Sequence, residues 1–96
     1  MRKAYSFEWD RKKSLRNRLK QVISFTEATQ LWFKYSVTIE ARSTDESRFM
    51  IIGKIEKKFF SCIYTTREEN IRLISARRSR KEEEEIYYDV KKSEKN

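Results

Sequence analysis

Four short runs rich in Ile, Phe, Val and Tyr, at residues 37–41, 48–55, 58–66 and 70–76, follow one another with only brief polar links between them. Branched and aromatic residues suit the pleated, half-buried surface of a sheet, so each run reads as a strand. Links this short suit antiparallel pairing, because a parallel pair needs a crossover of a dozen residues or more. The chain has one Gly and no Pro, so its turns are expected to rest on Asn, Asp and Ser.

Residues 5–9 alternate aromatic with smaller or charged residues and read as a further short strand. Asp10 is a good N-cap for a helix reaching about residue 21. Leu15, Leu19 and Val22 fall at helical spacing and form its expected buried stripe. Ser24 and Glu27 make a capping box, which starts a second helix with Phe25, Ala28, Leu31 and Trp32 inward. Ser79 and Glu82 suggest another box at the head of a final helix. There the acidic run 82–85 and the terminal Lys91 and Lys92 both match the helix dipole, with Tyr87 and Val90 as a thin apolar edge. Consecutive helical carboxylates point in different directions, so this run reads as a solvated face rather than a metal site. The order strand, helix, helix, four strands, helix predicts an α+β domain: one twisted antiparallel sheet with two N-terminal helices and a C-terminal helix packed on it.

A length of 96 residues predicts one domain spanning 1–96, with an ordered core from about 7 to 90 and a flexible tail at 91–96. The formal net charge is +8, and residues 1–20 hold eight Lys or Arg against two Asp or Glu. Such a patch favours an anionic partner. The single cysteine, Cys62, lies in an apolar run and reads as a buried strand residue, so no intrachain disulfide is expected. With no His and one Cys, zinc ligation of the usual spacing is excluded, and no metal or cofactor is expected. No apolar stretch reaches the ~18 residues of a membrane span, and no signal-peptide apolar region is present, so the expected location is cytoplasmic.

The first helix breaks an electrostatic rule. Arg11, Lys12 and Lys13 occupy its first turn, where each positive charge costs roughly 0.3–1 kcal/mol, and Arg16, Arg18 and Lys20 continue the basic face. One reading is a solvated helix held by its apolar stripe. The other is an anion site, in which the helix N-terminus and its cations attract phosphate. A second cluster, Arg77, Arg78, Arg80 and Lys81, stands between the last strand and last helix, where rigid edges often carry function; its plainer reading is neutralisation by the Glu run. Arg48, at the start of a strand, is a third candidate cation.

The segment Phe7-Glu8-Trp9-Asp10, followed by Lys13, Asn17 and Lys20, then Ser24-Phe25 and Glu27-Ala28, resembles the opening signature of the BrnT toxins. Arg48 stands five residues before Gly53, as in that family, and Tyr64-Thr65 and Arg67 also fit. Ile71-Arg72-Leu73-Ile74-Ser75-Ala76-Arg77-Arg78 is similar to the family's late strand, and Glu83 and Tyr87 keep the spacing of its final helix. The resemblance implies a RelE-like fold and a ribonuclease of a type II toxin–antitoxin system that inhibits translation. It also implies inhibition by a ribbon-helix-helix antitoxin, BrnA, and repression of the shared operon through operator DNA.

Cleavage without metal requires the ribose 2′-hydroxyl to attack the adjacent phosphorus while cations meet the charge that builds on the phosphoryl oxygens. Arg48, Arg77 and Arg78 are assigned to that charge, since their planar forks suit phosphate. Lys13 and Lys20 would hold RNA or donate a proton, Glu83 or Tyr87 could assist, and Arg11, Lys12 and Arg16 would bind the backbone. Where the family has Lys-His-Gly, this chain has Lys20-Gln21-Val22. The His would be the natural proton-transfer group. Its loss leaves open a catalytically silent relative that only binds nucleic acid or antitoxin, and a structural partner whose basic face meets an acidic protein. The lost Gly predicts a different turn between the first two helices.

Overall fold

A computed structural model describes residues 5–42 and 46–94. Its elements are β1 (Phe7–Glu8), α1 (Arg11–Gln21), α2 (Phe25–Ala28), a 3₁₀ turn (Thr29–Phe33), β2 (Ser36–Ala41), β3 (Arg48–Ile55), β4 (Lys58–Arg67), β5 (Asn70–Arg78) and α3 (Lys81–Glu94). Strands β2 to β5 form an antiparallel meander, as their short links require, and the sheet order is β1-β5-β4-β3-β2. The sheet is mixed rather than wholly antiparallel, because β1 pairs parallel with β5, Phe7 opposite Ile71 and Glu8 opposite Arg72. Polar contacts fix that register: Ile71 N–H donates to the Ser6 carbonyl at 2.8 Å, Arg72 Nη1 to Glu8 Oε2 at 2.7 Å, and Asn70 Nδ2 to Glu8 Oε1 at 3.1 Å.

Side chains alternate across the sheet, so it carries two cores. On one face Ile51, Ile55, Phe60, Cys62, Leu73 and Ala76 meet Ile23, Phe25, Ala28 and Leu31. On the other, Val37, Ile52 and Phe59 meet Tyr87, with Ile86 and Val90 of α3 alongside. Cys62 is buried in β4, and that burial pushes its thiol well above its ordinary range. A Cβ at Gly53 would stand 3.1 Å from Leu31 Cδ2 and 3.3 Å from the Tyr35 carbonyl, so glycine lets the 3₁₀ segment lie close on β3.

The second helix is a single α turn that tightens into 3₁₀, not a full helix. Its capping box is intact in both arms, with Glu27 N–H donating to Ser24 Oγ at 3.1 Å and Ser24 N–H to Glu27 Oε1 at 2.9 Å. Thr29 then donates its hydroxyl to the Thr26 carbonyl at 2.6 Å, taking a backbone acceptor that a continuing helix needs. Asp10 caps α1 as expected, accepting from Lys12 and Lys13 N–H at 2.8 and 3.2 Å.

The expected buried stripe of α1 is exposed. Leu15, Leu19 and Val22 are 66%, 84% and 83% exposed. The inward side is polar: Ser14 Oγ accepts Phe25 N–H at 3.0 Å, and the Asn17 amide serves the edge of β5. Asn17 Nδ2 donates to the carbonyls of Ala76 at 2.7 Å and Ile23 at 2.8 Å, while its Oδ1 accepts Ala76 N–H at 3.3 Å. Beyond β1, a sheet edge with free backbone groups needed partners more than leucines needed burial.

The turns also depart from expectation. Glu56 and Lys57, then Glu68 and Glu69, form two-residue hairpins with all four residues at positive φ (50°, 72°, 50° and 78°). Strand twist selects this geometry even without the usual Asn-Gly. Val22 likewise caps α1 at φ 61° and ψ 22°, its N–H bonded to the Arg18 carbonyl at 2.9 Å. Val22 thus adopts a left-handed conformation that glycine would take without strain, at a cost of roughly 1–2 kcal/mol.

In α3 the capping arm comes from Glu83, not Glu82: its Oε1 accepts Arg80 N–H at 2.9 Å, while Ser79 Oγ bonds Ser61 Oγ at 2.7 Å. Glu83 is buried, so the acidic run is not uniformly solvated. The tail assigned to 91–96 is helical as far as Glu94. Residues 95 and 96, like the basic Arg2 and Lys3, lie outside the described residues. Among the described residues no helix is long and apolar enough to cross a membrane.

Replacing Glu68 and Glu69 by Asn and Gly should raise unfolding free energy by about 1 kcal/mol, because both positions then hold residues suited to positive φ. The check is an upward shift of the urea midpoint with an unchanged slope.

Candidate functional site

The strand register determines which cations share a face. Arg77 stands opposite Ser61, Ser61 opposite Ile52 and Ile52 opposite Val37. The neighbouring row holds Ser75, Ile63, Met50 and Ile39. Arg48 lies two residues further along β3, opposite Ala41 and in phase with Met50. Arg48 and Arg77 therefore project from the α3 side of the sheet, separated by roughly 13 Å along the strands and roughly 10 Å across them.

Arg77 is held firmly. Its Nη1 and Nη2 donate to Glu83 Oε1 and Oε2 at 2.8 and 2.7 Å, a bidentate pair with side chains 22% and 10% exposed. Glu83 Oε1 also accepts from Ser61 Oγ at 2.8 Å. Burial by itself raises the Glu83 carboxyl, but hydrogen bonds from Arg77, the Arg80 N–H and Ser61, with attraction to Arg77, outweigh it and hold it down at about 2. Glu83 thus stays ionised near neutral pH, its Oε1 bonded three times and its Oε2 once, and anchors Arg77. Tyr87 sits in the α3 core against the rings of Phe59 and Tyr35, with centroids at 4.9 and 5.5 Å.

Arg48 is less committed. Its Nε lies 3.7 Å from Glu46 Oε1, too far for a hydrogen bond, and that buried nitrogen has no hydrogen-bond partner among the described residues. Arg78 faces the opposite side from Arg77. Its guanidinium lies 5.6 Å from the Phe60 ring centroid, and its Nε donates to the Phe59 carbonyl at 3.2 Å. It lines a cleft of about 320 Å³ with Val22, Ile23, Glu27, Ile55, Glu56, Lys58 and Phe60.

Lys13, Arg16 and Lys20 come together. With Asn17, Gln21, Phe25 and Ile74 they line a shallow cleft of about 230 Å³ at the edge of β5. The Asn17 amide fixes this arrangement, since it ties α1 to Ala76, one residue before Arg77. Lys13 and Lys20 are thereby brought to the strand that bears Arg77, while Arg48 stands two strands away. Arg11 and Lys12 lie exposed on the helix.

Sequence reasoning missed Asn17 as the organiser of this edge, and Ser61 as a partner of Glu83. It also missed Ile74, which a register shift beside Ile63 and Tyr64 leaves without a partner on β4. The available signal was a polar Asn within a basic helix, four residues after Lys13 and three before Lys20.

Residues 9–83 match the family model described as the ribonuclease toxin, BrnT, of a type II toxin–antitoxin system. No curated protein matches the chain significantly.

Arg77→Met should destabilise the protein by roughly 2–4 kcal/mol, between the worth of a charged hydrogen bond and that of a fully buried pair, because Glu83 is stranded. Adding Glu83→Gln should recover part of that loss, read by urea unfolding. Folding depresses the Glu83 pKa, so its stabilisation is complete above its ordinary 4.5 and is lost as pH falls toward about 2. Glu83→Gln should flatten the stability-versus-pH curve in that window.

Proposed function

Because the chain belongs to the BrnT family of ribonuclease toxins from type II toxin–antitoxin systems, we propose that it cuts RNA by attack of a ribose 2′-hydroxyl, with no metal ion in the step. The 2′-oxygen bonds to the adjacent phosphorus, the bond to the 5′-oxygen breaks, one proton leaves the 2′-hydroxyl and another reaches the departing oxygen. The products are a 2′,3′-cyclic phosphate and a 5′-hydroxyl. Inhibition of translation follows from loss of RNA.

The observation that carries this reading is the meeting of Lys13, Arg16 and Lys20 at the β5 edge, one residue from the clamped Arg77. Lys13 and Lys20 hold the backbone and are the proton donors nearest that edge. Arg77, its Nη1–Nη2 fork filled by Glu83, is pre-oriented and meets phosphate through the N–H groups that Glu83 leaves. Arg48 and Arg78 stabilise charge along the same strand of RNA, on the two sides of the sheet. Arg11, Lys12 and Arg16 extend the track. Glu83 acts through Arg77, and Tyr87 by seating α3. The proposal includes a RelE-like scaffold, a cytoplasmic setting, and a BrnA-like ribbon-helix-helix antitoxin whose complex with the toxin binds operator DNA.

One observation favours a second reading. Gln21, at the position of the family's His, lines the cation cleft, and an amide cannot shuttle a proton. A silent relative would bind RNA in a salt-sensitive way and leave it intact.

RNA incubated with the purified chain in a chelator should gain 5′-hydroxyl and 2′,3′-cyclic phosphate ends. Lys13→Ala should slow this about 10²–10³-fold, and Arg48→Ala, two strands away, should weaken RNA binding and its salt dependence, while circular dichroism stays unchanged. A folded Lys13 variant that cuts at the wild-type rate, or a folded Arg48 variant that binds RNA as the wild type does, would remove that residue from the site, and intact RNA with the wild type would select the silent reading.

A further inference from the structure

Leu15 and Leu19 stand one turn apart on α1, with Val22 at its C-cap, and all three side chains face solvent. Val22 is presented by a left-handed backbone that a β-branched residue resists. The backbone of Val22 serves the chain by capping α1 through its N–H, but the apolar side chain it holds outward is 83% exposed. At about 100° per residue, Arg11 and the Glu27-paired Arg18 border the stripe on one side, and Lys12 and Arg16 on the other. At its C-terminal end Val22 also lines the apolar floor of the cleft with Ile23, Ile55 and Phe60, where Lys58 and Arg78 stand beside Glu27 and Glu56.

We infer that Leu15, Leu19 and Val22 form the docking surface for an acidic amphipathic helix of the antitoxin, its apolar side chains on the stripe and its carboxylates on the flanking cations. This rests on the family's having a protein antitoxin, and not on the cleavage mechanism. A second copy of the chain is a poor occupant, because its net charge of +8 brings like cations together. RNA satisfies the cations but leaves the aliphatic side chains without a partner. An acidic amphipathic helix satisfies both at once. Its seat also covers Arg11, Lys12 and Arg16, so neutralisation proceeds by competition with RNA for those cations.

The test uses the complex purified after co-expression with the antitoxin's reading frame. The charge-neutral pair Leu15→Gln with Leu19→Gln should weaken antitoxin binding at least 100-fold by calorimetry. Both positions are exposed, so the melting temperature should not move, and RNA should still be cut at the wild-type rate but escape inhibition by antitoxin. A photo-crosslinking residue at position 19 should attach to the antitoxin. Unchanged affinity of the double variant, or crosslinks to a second toxin chain or to RNA instead, would overturn the inference. A wild type that cuts no RNA but whose double variant still releases antitoxin would refute the nuclease reading and leave this surface standing.

Discussion

The Asn17 amide on the backbone of Ala76 is the contact from which the rest of the arrangement follows. β1 covers only the start of β5, so the remaining edge of that strand would expose backbone donors and acceptors. An amide presents an N–H donor beside a carbonyl acceptor, which is what a neighbouring strand would offer, and its second N–H reaches the Ile23 carbonyl. Asn17 thus ends the sheet with a side chain. That choice sets the rotation of α1 about its axis. With Asn17 inward, Lys13, Arg16 and Lys20 line the edge, and Leu15 and Leu19 must face water.

A second constraint joins β4, β5 and α3. Arg77 and Glu83 are ions taken partly out of water, tolerable because their hydrogen bonds are nearly complete: both Glu83 oxygens meet Arg77, and one also meets Ser61 and the Arg80 N–H. The same carboxylate starts α3 and aims Arg77. Stability and site geometry are therefore coupled at one residue, and loss of activity on changing Arg77 alone would not separate chemistry from folding.

The strands, the caps at Asp10 and Ser24, and the basic α1 were legible because each depends on local chemistry: branched residues in short runs, and side-chain oxygens before free N–H groups. What stayed illegible was decided by distant partners. Leucine spacing on α1 pointed to a buried stripe, and a strand edge 59 residues away reversed it. A row of glutamates looked solvated until Ser61 and Arg77 drew one of them inward. The parallel β1 depends on Glu8 meeting Arg72, again a contact between the chain's two halves. The positive φ at Glu56, Lys57, Glu68 and Glu69 was hidden because strand twist, not residue preference, selects it. Of the candidate site, the cations were readable individually, but their division between the two sides of the sheet and its edge required the register.

The two longest described helices both end on cations but differ in their first turns. α3 has Glu82, Glu83 and Glu84 in its first turn and Lys91 and Lys92 in its last, as the dipole favours. α1 has no acidic residue in its first turn, and Arg11, Lys12 and Lys13 occupy it. Asp10 offsets part of this as a cap, its carboxyl held below the usual range by hydrogen bonds from the Lys13 and Lys12 N–H groups. The remainder of that cost is not offset by any acidic residue in the first turn of the helix, and the leucines beside it stay exposed. First-turn cations and exposed leucines on one short helix are what a surface shaped by its partners would accumulate. An anionic occupant relieves the first penalty and an apolar one the second, so an occupant with both properties gains most from this helix.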